Sequence, residues 1–181
     1  KIIDPETAYA LGMHYLDVID KLGTTPKAEA ELIANEVWKG NPNLPVLLAE
    51  WEKGQHGTAT EKSFRNDLKD LAWKAFEAAV HSKGKQTLPN LYFRRGMILG
   101  ERNDLKGAEK ELLTAIDEAS REPDINIKQE TTVLSHDALG ILAWKSGDYR
   151  SALQWFKLVE EEQARFGTQW GLARQSPRQS R

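Results

Sequence analysis

The chain has 181 residues, 40% of them hydrophobic and 29% charged, with a formal net charge of −2 and no cysteine. That length and apolar content are enough for a sizeable buried core and exclude a disordered polymer. The interspersed charges argue against a broad nucleic-acid footprint, which needs a clustered basic face, and the missing thiols exclude disulfides and cysteine chemistry.

In chain order, the first element read is a helix around Tyr9-Ala10-Leu11-Gly12 and Tyr15. Ala30, Ala34 and Val37 follow at helical spacing as the stripe of a second helix, which Pro42 closes. A short helix is expected from Pro45 to Lys53, a loop from Gly54 to Thr60, and a long helix from Glu61 to Ser82. The long helix carries the stripe Leu68, Leu71, Ala72, Ala75, Phe76 and Ala79. Leu44-Pro45 and Leu88-Pro89, 44 residues apart, both read as helix starts, because proline suits a first turn. Gln129 to Leu134 is the nearest approach to a β-branched strand and is too short to change an all-α reading.

The second half repeats itself. Tyr92, Gly96, Leu99, Asn103-Asp104-Leu105, Ala108, Leu112 and Ala115 recur 44 positions later as His136, Gly140, Ala143, Gly147-Asp148-Tyr149, Ala152, Phe156 and Val159. A glycine inside a helix costs about 1 kcal/mol relative to alanine, so each is expected where another element comes close. The turns share polar residues that tolerate cap and turn conformations. Repetition of one helical hairpin is the signature of a solenoid.

These residues resemble the tetratricopeptide repeat family over about residues 88–162. Gly96 and Gly140 match its mid-helix glycine, Tyr92 its aromatic position, and Ala108 and Ala152 its alanine. Phe156 matches the aromatic of the second helix, Leu139-Gly140 its Leu-Gly pair, and Gly147-Asp148-Tyr149 its turn. Arg95 stands where the family has leucine and His136 where it has an aromatic. The 44-residue spacing exceeds the usual 34, so the second helices are expected to be extended. The resemblance implies an all-α, right-handed helical-hairpin solenoid: two degenerate hairpins over 1–87, two regular ones over 88–166, and a basic flexible tail or linker over 167–181.

Strings that imitate catalytic motifs fail on geometry. Ser135-His136-Asp137 are consecutive on a helix and point about 100° apart, so they cannot converge as a triad. Gly84-Lys85-Gln86-Thr87 lacks the upstream glycine and the preceding strand of a phosphate loop. His14, His56, His81 and His136 show no paired metal-ligand spacing. No enzyme activity, cofactor or metal is expected. No stretch reads as a signal peptide or a membrane span, and the setting expected is cytoplasmic. The first residue is Lys1 rather than methionine, and the expectation is a fragment or processed product.

The functional expectation is therefore a surface. By the resemblance, the concave groove takes Asn90, Phe93, Arg94, Met97 and Glu101 from one helix. The next contributes Leu134, Asp137, Ile141, Trp144 and Lys145, and the first unit adds Tyr9, Met13 and Asp17. Burial of Phe93, Ile141 and Trp144 against a neighbouring hairpin stays open as the alternative. Repeats that clamp a chaperone's terminal carboxylate use Lys, Asn and Arg where this chain has Phe93, Met97, Asp137 and Ile141, which favours a more apolar partner. Three readings follow: a scaffold binding a partner peptide or helix, a sensory or regulatory segment of a larger protein such as a transcriptional regulator, and a self-association module or helical appendage of an enzyme.

Overall fold

The structure, a computed structural model, describes residues 4–22, 27–84 and 86–166; the expected tail at 167–181 lies outside them. The described residues form eight α-helices and no strand: α1 Pro5–Lys21, α2 Lys27–Val37, α3 Leu44–Glu52, α4 Ala59–Ser82, α5 Pro89–Glu101, α6 Leu105–Ser120, α7 Ile125–Lys145 and α8 Tyr149–Phe166. The chain divides into two units after Gly84.

In the first unit the main packing is α1 along α4, and not α1 with α2 and α3 with α4 as the sequence suggested. Gly12 explains the choice. A methyl there would run into the ring of Phe76, which is fully buried, so the bare glycine is the seat of that ring. Ala72, one turn before Phe76, is also fully buried. Helices α2 and α3 stand between the two paired helices in sequence and pack through large side chains. Trp38 and Trp51 meet Phe64 of α4 edge-on, at centroid distances of 5.1 and 6.0 Å. A buried indole N–H needs an acceptor. Trp38 Nε1 donates to Asp67 at 2.6 Å and Trp51 Nε1 to Glu61 at 3.1 Å.

The second unit is two hairpins, α5–α6 and α7–α8, with α7 lying against both α5 and α6. Each hairpin closes on its glycine. A methyl at Gly96 would sit 2.8 Å from Leu112 Cγ and 3.3 Å from the Ala108 carbonyl; one at Gly140 would sit 2.5 Å from Phe156 Cε1. The two turns are built alike. Asn103 (φ 63) and Gly147 (φ 84) take the left-handed conformation that ends a helix. The next amide reaches back five residues, Asp104 N to Leu99 O at 3.0 Å and Asp148 N to Ala143 O at 2.9 Å. The same aspartates then cap the following helices, accepting from Gly107 N and Ser151 N, each at 3.0 Å.

The residues that depart from the resembled pattern have partners. Arg95 approaches Glu111 of α6 at 3.1 Å, both nearly buried. His136 stacks on Trp155 (5.3 Å, 23°), and its Nδ1 lies 2.9 Å from Glu162. The long repeat spacing has a different origin from the one expected. Helices α6 and α8 have 16 and 18 residues, whereas α7 has 21 against 13 in α5. The extra length lies mostly at the start of α7. Asp124 caps it early, accepting from Asn126 N at 2.8 Å, whereas Pro89 sets the start of α5. The run Gln129–Leu134 is helical, inside α7.

Candidate protein-interaction surface

Helices α5 and α7 run side by side, tied at one end by Thr131, whose hydroxyl donates to Asn90 Oδ1 at 2.6 Å. Towards their other ends a mostly apolar cleft of about 70 Å³ opens between them. Met97 and Glu101 of α5 and Ile141 and Lys145 of α7 form its rim, four residues that the sequence placed in a groove. Ala138, Leu142 and Leu112 line it further, and Gly96 and Gly100 open the floor by carrying no side chain. A Cβ at Gly100 would stand 3.4 Å from Leu142 Cδ2, so the glycine also lets α7 approach.

The other expected groove residues divide. Phe93 is buried in the core with Ala108, Leu112, Ala138, Leu139 and Leu142, the alternative left open for it. Half-buried Arg94 covers its ring at 5.6 Å, a cation–π contact. Asn90 is engaged by Thr131. Leu134 is half-buried against the same core. Trp144 is 59% exposed, more than any core role allows. Asp137 is half-buried with no hydrogen bond or ion pair among the described residues, and burial holds its carboxyl above the usual range. Tyr9, Met13 and Asp17 belong to the first unit. Tyr9 lies against Phe76 at 6.1 Å, Met13 is half-buried, and Asp17 pairs with Lys21 at 2.7 Å.

The residues of the Ser135-His136-Asp137 string face different ways. Ser135 is fully buried, His136 turns to α8, and Asp137 has no partner among the described residues. Among the described residues no group of three or more acidic or histidine side chains is placed to hold a metal ion. No described helix is long and apolar enough to cross a membrane.

Sequence reasoning missed a polar cluster at the start of α4. Glu61 is 1% exposed and accepts from Trp51 Nε1, Gly57 N at 3.3 Å, and Arg65 Nε and Nη2 at 3.0 and 2.8 Å; His56 Nδ1 lies 3.2 Å away. Arg65 Nη1 also donates to the Ile19 carbonyl of α1 at 2.8 Å. Burial pushes the Glu61 carboxyl up. The bonds from Arg65, Trp51 and His56, with the Arg65 charge, outweigh that and hold it below the usual range. A signal was present: Thr58-Ala59-Thr60-Glu61 is a capping-box sequence, and Thr58 does accept from Glu61 N at 3.1 Å. Glu118, buried on α6, accepts from Leu88 N at 3.0 Å and fixes the start of α5; nothing local in the sequence announces that contact.

No protein-family model, curated protein or solved structure matches the chain.

Proposed function

We propose that this chain is a tetratricopeptide-type hairpin module that acts without catalysis, holding a peptide or helix of a partner protein against the α5–α7 face. The observation that carries this reading is the cleft rimmed by Met97, Glu101, Ile141 and Lys145, with exposed Trp144 beside it. Small and aromatic floor and anchor positions with a charged rim are the composition of a protein contact site. The family reading draws on the paired positions of the second unit: Gly96 over Leu112 and Gly140 over Phe156, then Asn103-Asp104 and Gly147-Asp148. Within it, α1 and α4 form a further hairpin with Gly12 seated on Phe76 and α2–α3 inserted. A right-handed stack of hairpins and a cytoplasmic setting belong to the same reading.

The test is capture from cell extract by wild type beside Met97→Glu/Ile141→Glu, both sites being at least 40% exposed, with helicity matched by circular dichroism. The expected result is a partner held by wild type and lost by the variant. That partner should slow amide exchange over 94–101 and 137–145. Capture unaffected by the double variant overturns the assignment.

A further inference from the structure

The α7 side of this face is complementary to itself. Asp137, Ile141 and Lys145 follow at four-residue intervals, so they form one row along the helix about 12 Å long, reading negative, apolar, positive. Among the described residues neither end of the row is satisfied, since Asp137 and Lys145 make no ion pair or hydrogen bond there. Ile141 between them is 40% exposed.

Reversal of such a row restores it with the charges exchanged. Two copies of α7 related by a two-fold axis through Ile141 place Asp137 of each opposite Lys145 of the partner subunit. Rows of this spacing are inclined about 26° to the helix axis, so two of them lie alongside when the helices cross at about 50°. We propose that the occupant of this groove is a second copy of the chain, packed antiparallel through α7 with two reciprocal Asp137–Lys145 pairs around Ile141. The proposal rests on the α5–α7 face being the working surface, and it names the partner there. An isologous contact of this kind doubles every favourable pair, whereas an unrelated ligand would have to supply both charges independently. Met97 and Trp144, exposed beside the row, add apolar area to it. Half-burial of an unpartnered carboxylate is unfavourable in the single chain, and a cation brought opposite it relieves that cost. The patch is about one helix wide, below the roughly 1,600 Å² of a standard interface, so the dimer is a weak one.

Sedimentation equilibrium of the intact chain over about 5 to 500 µM reads this directly. Wild type is expected to pass from monomer to dimer mass. Asp137→Lys and Lys145→Asp, each placing like charges together, are each expected to weaken dimerisation about tenfold or more. The Asp137→Lys/Lys145→Asp double variant, and an equimolar mixture of the two single variants, are expected to recover it. Lys145 is exposed, so its variant keeps the test valid even if Asp137→Lys perturbs folding. A wild-type chain monomeric throughout, a dimer indifferent to Lys145→Asp, or charge reversal without recovery each overturns the proposal. If the chain stays monomeric while Met97→Glu/Ile141→Glu still loses a captured protein, the second copy is overturned and the groove reading stands.

Discussion

Two glycines that look alike in the sequence are held by different surroundings. Gly12 faces Phe76, which is fully buried, while Gly140 faces Phe156, which is only half-buried. Alanine gains about 1 kcal/mol of helix propensity at either site, and overpacking a core costs about 1–3 kcal/mol. The Phe76 ring has nowhere to go. Gly12→Ala should therefore lower stability by about 1–2 kcal/mol, whereas Gly140→Ala should lie within about 1 kcal/mol of wild type, since Phe156 can swing outward. Urea denaturation of both variants checks the ordering. The Arg95–Glu111 pair poses a different question. One Glu111 oxygen has no hydrogen bond among the described residues, and burial raises its carboxyl despite Arg95 and Lys110. Glu111→Leu alone removes the carboxylate that Arg95 meets at 3.1 Å and should cost about 2–3 kcal/mol. The Arg95→Leu/Glu111→Leu double variant, which restores leucine where the resembled pattern has it, should return close to wild type in the same assay.

At the scale of elements, the hairpin turns were legible because their chemistry is local. A left-handed residue and a capping aspartate occupy adjacent positions in both turns, and each makes contacts within five residues. Gly147→Ala forces a Cβ into that conformation and should cost about 1–2 kcal/mol; Asn103→Gly, which removes one, should be neutral or stabilising, as thermal melts will read. The helix limits at Pro89 and over the 54–60 loop were likewise local, marked by proline and by glycine. The early start of α7 was harder to see. It depends on Asp124 as a cap within a stretch whose β-branched residues blur the helical period.

The partnership of helices belongs to the whole molecule. Gly12 seats a side chain of another helix, but nothing in the sequence said that this would be Phe76. Glu61 likewise joins α3, α4 and, through Arg65, α1. Its folded-state pKa is depressed, so the stability it contributes is present above the ordinary carboxylate range and is lost as pH falls through the depressed value. Glu61→Gln should cost about 2 kcal/mol at neutral pH. The gap between variant and wild type should narrow on acidification; a gap that stays constant from neutral to acid pH would show that Glu61 contributes through shape alone.

The groove follows the same division. Met97 with Glu101 on α5, and Ile141 with Lys145 on α7, each share one side of a helix because periodicity puts them there, and periodicity is written in the sequence; the packing of α5 on α7 brings the two pairs together. Phe93 sits on the same nominal face yet is buried, in a core that Ala138, Leu139 and Leu142 of α7 complete. By itself the sequence determined the all-helical class, the duplicated turns and the rows of residues along each helix, all of which arise from interactions within a few positions. Only the tertiary structure decided that α1 pairs with α4, that Arg95 and Glu61 are neutralised in the interior, and which side chains of the α5–α7 face remain open. Those outcomes depend on volumes and charges brought together from distant positions, where many arrangements satisfy the same local rules and packing selects among them.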